Sequence, residues 1–278
     1  MEIPQIPLKR WLQEGIDWLS LNLDFLFDPI IVVCTAMRVG LTEGIVFFSP
    51  YVLITFICSL LIWRKRYWLS VGTGFALLLI WNLGFWQETS ITLSLALIGG
   101  GLALIVGIPL GILTAENRKA YAITLPILDY MQSTPAFVYL IPWVLFFGVG
   151  DTAGIVSIFV WSMPPAVRAT EVGLRGVDSH LIEAAKAYGT NRKQLLLKIK
   201  LPLAIPHIVV GINNCIMFAM AMAVFASLIG AEGLGQNVVA AMQTVDMPLG
   251  IESGLCVVLI AIVIDRLTRS GVERDTSP

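Results

Sequence analysis

Residues that could do covalent or metal chemistry are few and scattered. His180 and His207 are the two histidines, and neither has a partner at ligand spacing. Cys34, Cys58, Cys215 and Cys256 form no CxxC pair, and three of them fall inside apolar runs. A free cysteine there acts as a small hydrophobe, so redox and metal chemistry are disfavoured. No nucleophile with its base and orienting group is legible, which argues against an enzyme. No GxxxxGK[ST] phosphate loop occurs, so the chain offers no cradle of that kind for ATP. One polar stretch does carry a definite pattern: Glu183-Ala184-Ala185-Lys186-Ala187-Tyr188-Gly189, followed by Ile199-Lys200-Leu201-Pro202. Its residue types suit docking rather than catalysis.

The local rules predict a helix–turn–helix elbow. Asp178 or Ser179 can cap a helix start, because a short side-chain oxygen satisfies an orphan N–H. Glu183 lies near that start, where the helix dipole favours an acid. Leu181, Ala184, Ala185 and Tyr188 recur at spacings of three and four and are expected on one face. Gly189 suits the left-handed position just past a helix end. Thr190 is expected to cap a second helix over 191–200, which Pro202 should stop. The product is a small alanine surface that lets another backbone come close, with a basic second arm. The competing reading is an amphipathic helix lying on the membrane.

The surrounding chain must hold this elbow between membrane spans. Its 278 residues are 57% hydrophobic and only 13% charged, against about 25% charged in soluble domains. Several apolar runs approach the ~20 residues that cross a bilayer, so the fold class is all-α and polytopic. Seven spans are predicted, at about 46–63, 68–86, 90–115, 125–149, 153–169, 206–229 and 251–267. Gly99-Gly100-Gly101, Gly107 and Gly111 give the third span small surfaces for close packing, and Pro109 should kink it. Residues 230–250 read as a glycine-rich hairpin, too short and flexible to cross and suited to a gate, a docking lip or a surface loop. Asp151 and Glu232 read as loop residues on the same side as that hairpin. Residues 1–45 do not read as a cleavable leader. Leu8, Trp11, Leu12, Ile16, Leu19, Leu23 and Leu26 form a stripe suited to a lateral amphipathic helix. A second apolar piece begins at Ile30, but Arg38 and Glu43 make it a poor span.

Net charge is −1, so no global basic field points to nucleic acid. The basic residues are instead sorted by loop. Of the 18 Lys and Arg, 15 fall after spans one and three, around the elbow, or at the C terminus. With seven spans all 15 share one side, which the positive-inside rule makes the cytoplasm. The expected organisation is therefore an extracytoplasmic scaffold segment over 1–45 and a permease domain over 46–268, with its elbow at about 171–202. A cytoplasmic tail over 269–278 completes it.

Glu-Ala-Ala, three residues, Gly, nine residues, Ile, one residue, Leu-Pro resembles the EAA loop of ATP-binding cassette importer permeases. A longer set of strings, over about 91–269, is similar to the glycine betaine/proline betaine permeases. These are Met131-Gln132-Ser133-Thr134-Pro135-Ala136-Phe137-Val138-Tyr139-Leu140-Ile141-Pro142, Met163-Pro164-Pro165-Ala166-Val167-Arg168, Gln194 to Lys198, Leu201 to Ala204 and Asp265 to Thr268. The resemblance implies a type I importer permease fold with about seven transmembrane helices. It implies that Glu183, Ala184, Ala185, Tyr188 and Gly189 couple to a cytoplasmic cassette ATPase dimer. ATP and Mg would be bound there and not in this chain. An extracytoplasmic solute-binding protein, a homodimer of the permease and membrane lipid are the other partners implied, in the inner membrane of a prokaryote. The solute implied is glycine betaine or a related quaternary ammonium osmolyte. Choline, carnitine or an amino acid is the alternative, and a secondary transporter or osmotic channel is a more distant one. Gln132, Pro135, Asn213 and Asn214 are the candidate translocation-path residues. For the two asparagines, interhelical hydrogen bonding is the competing role. Glu232 stands where such permeases carry a small residue.

Overall fold

The computed structural model describes residues 8–270, with side chains at residue 25 and over 27–269. The stripe over 8–26 and the end of the tail therefore lie outside the described side chains. Among the described residues every regular element is helical. In chain order they are α1 Leu8–Phe47, α2 Pro50–Trp63, α3 Tyr67–Asn82, α4 Trp86–Glu116, α5 Arg118–Ser133, α6 Leu140–Phe147 and α7 Asp151–Arg175. Next come α8 Ser179–Ala187, α9 Arg192–Leu195, α10 Leu201–Ala226, α11 Leu234–Thr244 and α12 Met247–Ser270.

Helices α4, α7 and α10 pack as a central trio, and glycine makes their approach possible. A Cβ added at Gly99 would come within 2.5 Å of Ile158 Cγ2, and one at Gly111 within 2.6 Å of Thr170 Cβ. Gly100 faces Ala219 instead, while Gly101 meets nothing within 4 Å. These are the close backbone contacts that small residues permit where lipid gives no hydrophobic drive between helices. Ile155, Ile158, Leu95, Ala219 and Met222 are fully buried around them.

The passes run antiparallel. Tyr51 meets Trp81 edge-on at 4.6 Å, and Ser70 Oγ donates to the Cys58 carbonyl at 3.1 Å, so α2 and α3 form a hairpin. The α5–α6 pass runs beside α7 along its length: Tyr121 lies under Arg175, Asp129 pairs with Arg168, and Tyr139 packs on Trp161. Among the described residues that gives seven helical passes, α2, α3, α4, α5–α6, α7, α10 and α12. The bundle therefore has an elbow end and an opposite end, where α4, α7 and α12 begin.

Four boundaries differ from the sequence expectation. The predicted fourth span is two helices broken at Thr134-Pro135, because the residue before proline is pushed out of the α region; Thr134 has ψ 131°. The fifth span does not stop near 169. It continues through Pro164-Pro165 to Arg175, where the Arg175–Glu171 pair at 2.8 Å and an Arg175 bond to the Thr114 carbonyl at 3.0 Å neutralise the charges. The hairpin over 230–250 contains an ordered helix, α11. Finally, α1 is one 40-residue helix running through Pro29.

The stretch Phe27–Phe47 is long and apolar enough to cross a membrane, yet its ring, ion-pair and hydroxyl contacts gather toward one end of the bundle. Phe27 packs on Phe146 and Phe147 at the end of α6. Arg38 reaches Asp151 at the start of α7, and Thr42 bonds Ser94 in the first turns of α4 at 3.1 Å. Beyond the next turn Tyr51 meets Trp81 at the end of α3. A spanning helix would meet its neighbours at progressively deeper levels. This one lies crosswise over the end opposite the elbow.

Candidate functional site

The elbow is built by local capping. Asp178 accepts from the His180 N–H at 2.9 Å and starts α8. Gly189 takes the left-handed conformation at φ 79°, and its N–H returns to the Lys186 carbonyl at 2.9 Å. Asn191, not Thr190, caps α9, through a reciprocal bond with Gln194. The Thr190 hydroxyl instead donates to the Ala185 carbonyl at 2.7 Å, closing an orphan acceptor of α8. Pro202 does not end the second arm. A π-turn over Leu196–Lys200, in which the Leu201 N–H bonds the Leu196 carbonyl, runs straight into α10. Proline lacks the N–H and crowds the carbonyl four residues back, and the widened turn ahead of it relieves both demands. Lys200 anchors the arm on Glu116 at 2.6 Å.

The expected single face of α8 is split. Ala185 is buried toward the turn and α9, whereas Leu181, Glu183, Ala184 and Tyr188 face outward. Tyr188 is 91% exposed. The surface on offer is thus a small patch of Ala184 between Leu181 and Tyr188, rimmed by Glu183 and Lys186. Its only substantial neighbour among the described residues is α9.

The four candidate path residues separate. Asn213 is buried and donates to Asp265 Oδ1 at 2.8 Å, and Asp265 also accepts from Arg269. It therefore takes the interhelical bond. Asn214 points the other way, on an exposed stripe of α10 with Val210 and Phe218. Pro135 marks the break between α5 and α6. Gln132 lines a cavity of about 240 Å³ with Met131, Trp161 and Phe218. Sequence reasoning missed Trp161 and Phe218, because each is one aromatic among many in an apolar span. Only the fold brings their rings to 6.0 Å.

At the opposite end Arg38 gathers two carboxylates from distant elements, Asp151 at 2.8 Å and Glu232 at 3.2 Å. The Glu232 N–H also donates to Asp151 at 2.8 Å, and the Leu234 N–H to Thr92 Oγ1 at 2.8 Å. Glu232 thus has a structural partner that its sequence position does not announce.

A multi-pass bundle with one polar, outward-facing elbow is the build of a membrane permease subunit. The family comparison agrees. Residues 107–270 match the family described as "Binding-protein-dependent transport system inner membrane component", and the chain belongs to that family. It is 38% identical over 268 residues to the glycine betaine transport system permease protein OpuAB of Bacillus subtilis (strain 168), covering 96% of this chain and 95% of the relative. It is 37% identical to the glycine betaine/proline betaine transport system permease protein ProW of Escherichia coli (strain K12), covering 98% and 76%. An inward-facing structure of the MetNI methionine ABC transporter matches with a TM-score of 0.65 at 22% identity, over 69% of this chain and 96% of that one. The last likeness concerns fold, and the fold is that of a type I ABC importer permease. The protein is accordingly a multi-pass inner-membrane transporter subunit, and its class implies ATPase and substrate-binding partners.

Proposed function

We propose that this chain imports glycine betaine or a closely related quaternary ammonium osmolyte, with ATP hydrolysed by a partner subunit. The observation that carries the coupling role is the elbow: capped at both ends, exposed along Leu181, Ala184 and Tyr188, and continuous through its second arm with α10. A docking force at α8 is passed directly to a helix of the central trio. The names of relatives that match over 96% and 98% of this chain support the solute. Two copies of the chain would present two elbows to an ATPase dimer, which favours a homodimer. Val210 and Asn214 on the exposed stripe of α10 are available for that contact.

Charge supports the orientation. The elbow end carries Arg118, Lys119, Lys186, Arg192, Lys193, Lys198 and Arg266 beside Glu116, Asp178 and Glu183, whereas at the opposite end Arg38 is the described basic residue and is paired with Asp151 and Glu232. By the positive-inside rule the elbow and C terminus face the cytoplasm. Residues 1–45 form an extracytoplasmic scaffold, 46–268 the permease domain and 269–278 a cytoplasmic tail. Glu183, Ala184, Ala185, Tyr188 and Gly189 form the coupling element in this reading, with Ala185 and Gly189 shaping it and the others touching the partner. The solute-binding protein would dock at the end opposite the elbow.

Reconstitution tests the proposal. The permease, its ATPase and its binding protein in ATP-loaded proteoliposomes should accumulate radiolabelled glycine betaine. The solute has no net charge, so the membrane potential, worth about 2.3 kcal/mol per charge per 100 mV, cannot concentrate it. Uptake driven by an ion gradient without ATP would defeat the mechanism. ATP-driven uptake of choline or an amino acid, with glycine betaine neither carried nor competing, would defeat the substrate.

A further inference from the structure

We propose that the cavity between α5, α7 and α10 is a binding station, within the permease itself, for the methylated ammonium group of the solute. The inference rests on the quaternary ammonium reading above. The cavity is about 240 Å³ and lined by Met131, Gln132, Trp161 and Phe218. That is below the ~300–1,000 Å³ of drug-sized sites, and it suits a solute the size of an amino acid.

Its chemistry is selective in kind. Trp161 and Phe218 present two rings inclined at 31°, and Met131 adds a polarizable thioether. Aromatic faces attract cations through the ring quadrupole, and indole does so best. A methylated ammonium is weakly hydrated and gives up water readily to reach such a surface, whereas a bare inorganic cation does not. No carboxylate lines the cavity among the described residues. Asp129, one turn before Gln132, is already paired with Arg168. A net-neutral zwitterion therefore meets no unbalanced charge, and the Gln132 amide is a donor within the lining for its carboxylate. Arg168 does not line the cavity and is engaged by Asp129.

The indole is held from behind. Tyr139 packs on Trp161 at 5.3 Å, 66° from parallel, and its hydroxyl donates to the Met131 carbonyl at 2.6 Å. Tyr139 is a positioning residue: it ties the break after α5 to the ring that faces the cavity. The station sits where the α5–α6 pass is interrupted, so the discontinuity and the aromatic group form one local structure.

The test uses the permease–ATPase complex in lipid nanodiscs, without the binding protein, and radiolabelled glycine betaine at millimolar concentration. Saturable binding is expected. Unlabelled glycine betaine should compete, and 3,3-dimethylbutanoate, which keeps the shape but loses the positive charge, should not. Trp161→Leu should weaken binding about tenfold and Trp161→Phe about threefold, in line with ring strength. Tyr139→Phe, which keeps the ring but frees it from Met131, should weaken it less than Trp161→Leu. Gel filtration and ATPase copurification establish that each variant is assembled. Should Trp161→Leu fail to assemble, the Trp161→Phe ratio and the isostere competition decide the matter. Equal competition by 3,3-dimethylbutanoate, which lacks the cation, overturns the proposal. So does absence of saturable binding when the complete system takes up glycine betaine. Failure of the complete wild-type system to take up glycine betaine is a separate result, and it defeats the parent reading instead.

Discussion

Gly189 offers a sharp test of the elbow because its effect can be worked from backbone geometry alone. Its φ is 79°, and a Cβ added there would meet nothing within 4 Å. Substitution therefore creates no clash with neighbours and acts only through the left-handed backbone. For an ordinary L residue that costs roughly 1–2 kcal/mol, and for a β-branched one up to about 3 kcal/mol. The turn is held by the Thr190 N–H and hydroxyl on the Ala185 carbonyl, at 3.2 and 2.7 Å, and by Gly189 on Lys186. Since α8 has little contact beyond α9, the strain is released by tilting α8 rather than by unfolding the bundle. At about 1.4 kcal/mol per tenfold, roughly 1–3 kcal/mol corresponds to about a 5–150-fold fall in the population of the docking geometry. Gly189→Val should thus lower solute-stimulated ATP hydrolysis and uptake by about that factor, with normal membrane insertion. Gly189→Asn should lose much less, because asparagine tolerates the left-handed region. The assay is uptake and stimulated hydrolysis in proteoliposomes, beside ATPase copurification. Equal activity of the two variants, at any level, would refute strain as the cause.

Three further outcomes are expected. Gly111→Ala should destabilise the central trio by about 1–3 kcal/mol through overpacking against Thr170 and Val167, whereas Gly101→Ala should be neutral; thermal unfolding in detergent compares them. Arg38→Met leaves Asp151 and Glu232 without their cation and should cost about 1.5–3 kcal/mol, nearly all of it from Asp151. Glu232 is half exposed and contributes little, so Glu232→Gln should leave the thermal midpoint close to wild type. Single cysteines at Phe25 and Lys193, with the native cysteines replaced, should react with an impermeant reagent from opposite sides of the membrane; reaction from one side removes the orientation.

Much of the elbow is legible in sequence because capping and glycine conformation are local. Asp178, Gly189 and the basic second arm need no distant residue to be understood. Thr190 misleads because its hydroxyl has two possible uses, and only the fold shows that the Ala185 carbonyl wins over the next helix start. Hydropathy fails at Glu171 and Arg175 for a related reason. A window counts two charges and ends the span, while the helix sees an internal pair four residues apart. Arg38 reads only as an obstacle to a membrane span, and its structural role is hidden because one of its partners lies 194 residues away. The glycines near 230 read as slack. In the structure Gly233 is where backbone meets Thr92, with a would-be Cβ 2.4 Å from its hydroxyl oxygen.

The crosswise position of α1 has a mechanical consequence. It is tied to α6 through Phe27, to α7 through Arg38 and to α4 through Thr42. A strut fixed at three points along its length holds those points at constant separation. The ends of these helices cannot splay individually, so any opening at that side must carry them as one plate. The elbow end has no such crosswise helix among the described residues, and α8 has little support there beyond α9. In the coupling reading proposed above, a displacement imposed at α8 would pass through α10 and the glycine-packed trio and turn that plate as one body.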